Sequence, residues 1–420
     1  MKNILFIVVD CLGYKFLTRD KRQNYPYINH LFSKGTSFSQ AISVASTTSP
    51  SIASMLTGCY PFQHGIMTLS GNYLSHNVPF LPDLLREMGY KTYAEVTGPL
   101  WPELGFARGF DHYTHRAKKY YLHSEWGRNL KNKFISGYFK DPWFVFLHLW
   151  ELHQPIKILP EYNKSKYGIP YERSLRSLDN ALEKLLANVV DTGNTIIIFT
   201  GDHGEQVETS VVDKLMRKLI IKFYNRFSCF GLFEKQRLNV FRKYQIGHGS
   251  NISEILVRVP LLFIDKGKVA ENVELDAQIS HVDIFPTLIS LLGVEDLNII
   301  KTDGKSFVPH MERKEVNPEH VAYMQACGIV LPDQSKWLEG IRYKDLKYIR
   351  YQKDISSGEW LYNLKNDPNE KKNIKDKSLL KIMRAKLDDI KRGTLQYEAS
   401  KMSDQEIDGM SSRLKELGYM

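Results

Sequence analysis

Several short apolar runs of this chain end in residues able to hold a metal ion or move a proton. Asp10 follows "ILFIVV" (4–9), Glu151 and His153 follow "WFVFLHL" (143–149), and Asp202 and His203 follow "TIIIFT" (195–200). Runs of that length and composition read as strands buried on both faces. In an open α/β sheet, ligands gather beyond the carboxyl ends of the strands. One aspartate at a strand end is ordinarily a turn or cap residue. Asp, Glu/His and Asp-His at three strand ends suit one or two divalent ions, zinc or manganese ahead of calcium or magnesium. His248, between Gly247 and Gly249, is a further candidate beside its plain reading as a loop residue. Glu205 reads as a supporting group behind the Asp-His pair. His148 alternates with apolar residues and reads as a satisfied core histidine, and His281 and Asp283 read as helix caps.

A second candidate is the stretch "STTSPSIASMLTG" (46–58). Proline is tolerated in the first turn of a helix and glycine favours its end, so "PSIASMLT" reads as a short helix with Thr48 and Ser49 at its mouth. The hydroxyls there either cap the helix or line an anion site at its positive end. The stretch alone leaves both open.

The elements that would position these groups alternate strand and helix. Further strands are expected at "KTYAEV" (91–96) and "VPLLFI" (259–264), and helices at 81–90, 174–193 and 283–293. That alternation predicts an α/β fold with a large, mostly parallel sheet flanked by helices. From 315 the pattern turns to Tyr-rich hairpins followed by two helices, which predicts a smaller C-terminal α+β subdomain. The expected division is 1–314 and 315–420, with an insertion at 209–245. Within it Lys214, Lys218, Lys222 and Arg226 share one helical face and Leu215, Leu219, Phe223 and Phe227 another. Such a basic amphipathic helix at 212–243 suits peripheral contact with an anionic membrane, or a lid, as well as plain packing on the core.

The composition is that of a globular protein, with a formal net charge of +10 that favours anionic partners. Nucleic-acid motifs are absent, so none is expected as a partner. Cys11, Cys59, Cys229 and Cys327 form no CxxC pair and read as reduced thiols. The opening apolar run is too short for a signal peptide and reads as a strand, so a cytoplasmic location is expected.

The stretch "TSPSIASMLTG" resembles the sulfatase signature, Cys/Ser-x-Pro-Ser-Arg followed by Leu-Thr-Gly, with Thr48 at the nucleophile place. "FIVVDCLG", "LTGCYPFQHGI", "HLWELHQP", "FTGDHGE", "GHGSNISEILVRVPLLF" and "SHVDIFPTLISLLG" look like further family segments in the same order. The chain is therefore identified as similar to the sulfatase-like branch of the alkaline phosphatase superfamily over nearly its whole length. The resemblance implies that Asp10, Asp202 and His203 ligate a metal that also touches Thr48, and that Thr48 attacks in line. It implies that His153 and His248 bind the ester oxygens or protonate the leaving group, and that Glu151, His153 and His248 would serve any second metal.

Four positions depart from the family pattern. Thr48 stands where a cysteine or serine is converted to formylglycine. Ile52 stands where an arginine supports that group, and Cys11 stands where a second acid follows Asp10. "VTGPLWPELGF" replaces the Gly-Lys-x-His segment that grips sulfate. The expectation is a metal-dependent hydrolase or transferase of phosphate esters, of the diester or phosphonate class, through a phospho-Thr48 intermediate. Its substrate would be an anionic ester, glycan- or lipid-linked. The alternatives are a sulfuric ester hydrolase acting without formylglycine, and a non-catalytic binding protein of the same fold.

Overall fold

The structure is a computed structural model, and it describes residues 1–190, 193–207, 215, 219, 247–294, 300–312, 319–328, 334–393, 397 and 400–417. The insertion at 209–245, with its basic helix at 212–243, lies outside these residues apart from positions 215 and 219. So does the division expected between 314 and 315. Among the described residues no helix is long and apolar enough to cross a membrane.

Eight strands form the main sheet: β1 (Asn3–Val9), β2 (Thr36–Ile42), β3 (Lys91–Val96), β4 (His112–His115), β5 (Trp143–Leu149), β6 (Thr195–Gly201), β7 (Arg258–Ile264) and β8 (Val273–Ser280). Their order is β4-β3-β5-β1-β6-β7-β2-β8. The block from β4 to β6 is parallel, and β7 runs antiparallel to both β6 and β2. The large, mostly parallel sheet read from the sequence is therefore present. All seven residues of β1, β5 and β6 are buried, as expected of strands covered on both faces.

Successive side chains of β1 enter opposite cores. Ile4, Phe6 and Val8 pack with the helices Thr48–Thr57, Leu81–Glu87 and Ile284–Leu291; Leu5, Ile7 and Val9 pack with Pro26–Ser33 and Pro170–Val190. The register is fixed at both ends of β1. Asn3 accepts from the Trp143 amide at 2.9 Å and donates from its own amide to Asn194 at 2.9 Å, while the Asp10 amide donates to the Leu149 carbonyl at 2.8 Å.

A second, antiparallel sheet holds β9 (Val321–Ala326), β10 (Leu338–Tyr343), β11 (Leu346–Tyr351) and β12 (Glu359–Asn363) in the order β12-β11-β10-β9. The helix Lys377–Arg392 covers it through Met383 and Leu387. This is the smaller α+β unit. β9 also touches the segment leading into the Thr48 helix, where Gln325 donates its amide to Val44 at 2.8 Å.

Strands β2, β4, β8 and β9 were not anticipated. β2, "TSFSQAI", is rich in serine, and its hydroxyls find partners only in the fold: Ser39 donates to Asp276 at 2.6 Å and Ser37 to the Val273 carbonyl at 3.3 Å. The long helix starts at Pro170 rather than Ser174, because proline suits a helix start.

Candidate metal-dependent active site

The three parallel strands β5, β1 and β6 deliver their following residues to one edge of the sheet. The helix on the hydroxyl stretch spans Thr48–Thr57, two residues longer at its start than expected, with Thr47 as N-cap and Gly58 closing it at φ +68°. The hydroxyls do not cap it. Thr48 Oγ1 donates to Asp10 Oδ2 at 3.1 Å and lies 3.4 Å from His203 Nε2. Ser49 donates to the Pro99 carbonyl at 2.7 Å, and Ser51 to the Asp202 carbonyl at 2.5 Å. Thr48 therefore meets the acid and imidazole groups, while its neighbours hold the backbone around them. Ile52 is buried in the apolar core.

Asp10, Asp202 and His203 present donor atoms within 4.8 Å of one another, all buried. Asp202 Oδ1 is fixed by the amides of Cys11 at 3.0 Å and His203 at 2.7 Å. His203 Nδ1 donates to the Gly204 carbonyl at 2.9 Å, so the neutral ring turns its Nε2 lone pair toward Asp202 and Thr48. Burial, then the neighbouring His248, lowers the His203 pKa to about 3, which keeps the ring in its ligand form. Burial works against charge on both acids. Asp202 is pushed up by burial and by Asp10, whereas Asp10 is held well below the usual carboxylate range by His148 and the nearby imidazoles. Two adjoining buried carboxylates with a preset imidazole fit a divalent cation.

The turn after β6 is packed tightly. A Cβ on Gly204 would lie 2.0 Å from the Ile255 carbonyl oxygen and 3.2 Å from Gly13 Cα. Two loops thus cross at a distance only glycines permit, which sets His203 against the start of the β1 loop.

His153 and His248 face the same space, with ring centroids 5.4 Å apart and His248 4.4 Å from His203. His153 stacks on Trp150 at 4.0 Å and its Nδ1 donates to the Gln154 carbonyl at 2.8 Å. Glu205 Oε2 lies 2.8 Å from His248 Nδ1 and raises that ring's pKa against the opposing effect of burial. Glu151 is placed differently: its Oε1 accepts from the Leu122 amide at 2.7 Å, and among the described residues it joins no group of close metal-type donors. His281 Nδ1 lies 2.9 Å from Ser51 Oγ, and Asp283 forms a capping box with Ser280.

Two residues of the site were not singled out from the sequence. His148 Nε2 lies 3.4 Å from Asp10 Oδ2 while its Nδ1 donates to the Thr97 carbonyl at 3.1 Å. The alternation that marked it as core is correct for its burial but hides which way the ring points. Cys11, read as a reduced thiol and as a lost acid, places Sγ 2.9 Å from Asp10 Oδ1 and 3.2 Å from Glu205 Oε2. Burial and the surrounding carboxylates push this thiol well up.

Buried carboxylates, an imidazole and a hydroxyl gathered beyond the carboxyl ends of a covered sheet are the donor types that a divalent ion takes. The Sulfatase family model matches residues 2–294, and the model for the C-terminal part of N-sulphoglucosamine sulphohydrolase matches 251–393. The chain belongs to the sulfatase family. It is similar to mouse Arylsulfatase G, 23% identical over 374 residues, covering 72% of this chain and 67% of the relative. It is also similar to N-acetylgalactosamine-6-O-sulfatase of Bacteroides thetaiotaomicron, 24% identical over 256 residues, covering 59% of this chain and 46% of the relative. The phosphonate monoester hydrolase SpPMH from Silicibacter pomeroyi shares the fold, with a TM-score of 0.70 at 15% identity, covering 94% of this chain and 95% of that one.

Proposed function

We propose that the chain hydrolyses an anionic ester at Asp10, Thr48, Asp202 and His203. The observation that carries this is the Thr48 hydroxyl, held 3.1 Å from Asp10 and 3.4 Å from His203 among buried metal-type donors. A divalent ion of the zinc or manganese class, bound there, would lower the hydroxyl pKa and offset the charge of the ester oxygens. Thr48 is placed to attack the ester and expel its alcohol, and water would then cleave the resulting Thr48 ester, while Asp10, held in its charged form, would serve the ion. His153 and His248 stand where an ester oxygen or a leaving group would arrive, with Glu205 supporting the charge on His248.

Sulfuric esters are the first choice, because the curated relatives carry sulfatase names. The phosphate-ester expectation is the less supported of the two. It becomes a second reading carried by one feature: a threonine cannot become a formylglycine, and an alkoxide beside a metal suits phosphoryl transfer. The phosphonate monoester hydrolase with this fold agrees with that second reading.

A sulfated sugar chain is the substrate class favoured here. A cavity of about 670 Å³ on the seam between the two sheets is lined by Tyr14, Trp360 and Tyr362 together with Lys15, Lys21 and Arg258. Aromatic faces and cations suit the rings and anionic groups of such a chain. The cavity shares Gln206 and Asn251 with the loops that carry His203 and His248.

The deciding experiment assays metal-loaded protein on aryl sulfate, phosphate monoester, phosphodiester and phosphonate monoester in parallel. Sulfate turnover above the others supports the first reading, and diester or phosphonate turnover above sulfate moves the assignment to the second. No turnover of any ester, with metal bound and the fold intact, sinks both.

A further inference from the structure

We propose that Cys11 is a thiolate ligand of this metal centre, so that the site selects zinc-class ions over calcium and magnesium. The inference rests on the reading that Asp10, Asp202 and His203 hold a divalent ion, and it adds a donor of a different chemical kind. Three observations carry it. First, Cys11 donor atoms fall within 4.8 Å of those of Asp10 in one grouping and of His203 in another, so the sulfur flanks the carboxylate-imidazole set. Second, Sγ lies 2.9 Å from Asp10 Oδ1 and 3.2 Å from Glu205 Oε2, so this buried thiol, at the edge of the apolar core, meets carboxylate oxygens. Third, Cys11 adopts φ +62°, a left-handed conformation uncommon for a side chain with Cβ.

That conformation is held from both sides. The Cys11 amide donates to Asp202 Oδ1 at 3.0 Å, and the Tyr171 hydroxyl donates to the Cys11 carbonyl at 2.6 Å. A backbone fixed in a disfavoured region, with the thiol delivered among metal-type donors, is the kind of arrangement that functional sites retain. Binding breaks the S–H bond and forms a sulfur–metal bond, and the proton leaves to solvent. A soft thiolate favours zinc and cobalt, whereas carboxylate and carbonyl oxygens alone suit calcium and magnesium. Position 11 thereby sets the metal class, and His248, held by Glu205, remains available to the ester.

The test loads the whole protein with Co(II) and records its absorption. A near-ultraviolet sulfur-to-cobalt charge-transfer band is expected, lost in Cys11→Ser and retained when Cys59, Cys229 and Cys327 are replaced by serine one at a time. Cys11→Ser should also weaken zinc binding at least about 10-fold. X-ray absorption on the zinc-loaded wild type should show a Zn–S distance of about 2.3 Å, a result that needs no variant. Cobalt bound with visible bands but no sulfur band, or zinc with only oxygen and nitrogen neighbours, overturns the thiolate and leaves the metal reading standing. Failure to bind either ion overturns both.

Discussion

Replacing Lys347 by methionine should loosen the joint between the second sheet and the loop that follows His248. The Lys347 ammonium lies 3.0 Å from Glu254 and 3.0 Å from Glu370 with its side chain fully buried, and Arg342 stands 3.0 Å from the same Glu254. Burial would raise the Glu254 pKa, but Lys347 and then Arg342 overcome it and bring it from 4.5 to about 2. A folded-state pKa below the unfolded one stabilises the fold fully above pH 4.5, and that contribution is lost as pH falls through about 2. The shift corresponds to roughly 3 kcal/mol at neutral pH. Methionine keeps the volume and removes the charge, leaving two carboxylates to one guanidinium. Breaking a buried pair in this way costs about 3–5 kcal/mol. Urea unfolding followed by tryptophan fluorescence at pH 7 should show that loss. The deficit should shrink as pH is lowered from 4.5 toward 2, where the wild type loses the same contribution. Adding Glu254→Gln should recover part of the loss at pH 7. A deficit below about 1 kcal/mol, the value of an exposed pair, or one that stays constant with pH, would refute the reasoning.

Thr48→Ala should lower kcat by about 10⁴-fold or more on the best ester substrate with an unchanged circular-dichroism spectrum, and activity within tenfold of wild type would remove Thr48 as nucleophile. Gly204→Ala should cost about 3 kcal/mol, because its Cβ would meet the Ile255 carbonyl oxygen at 2.0 Å; unchanged thermal stability and metal content would contradict the crossing of the two loops. Stripping the metal with a chelator should remove about 2.7 kcal/mol of stability relative to protein held at a hundredfold excess of ion over Kd, and an unfolding midpoint indifferent to the chelator would argue against a structural hold by Asp10, Asp202 and His203.

The strands that carry the chemistry were legible because a parallel sheet covered on both faces writes its strands as largely apolar runs, each followed within two residues by its first functional group. Asp10, Asp202 and His203 were found that way, and the structure groups them. Strands β2 and β9 were not legible, since their polar residues are satisfied only by partners far along the chain, such as Asp276 for Ser39 and Met67 for Gln325. His148 and Cys11 escaped for a different reason. Residue type and spacing place a side chain on a strand or in a turn, but the direction of an imidazole, or a thiol at positive φ, follows from backbone geometry and from neighbours some 140 to 190 positions away. The identity of the ester is a matter of a few side chains, and there the relatives' names and the residue at position 48 pull apart.

The register of β1 carries a consequence for how this protein can fail. From Ile4 to Val9 both faces of the strand are apolar, so sliding it along its neighbours would expose no misplaced hydrophobic residue. What marks its place are Asn3 at one end and Asp10 at the other, and the residues between them act as a ruler. An insertion or deletion inside it would move Asp10 by about 3.3 Å, farther than a metal–oxygen bond can follow, while leaving the core as greasy as before. β1 is thus a segment where a mutation can abolish chemistry and remain nearly invisible to the cellular machinery that removes unstable proteins.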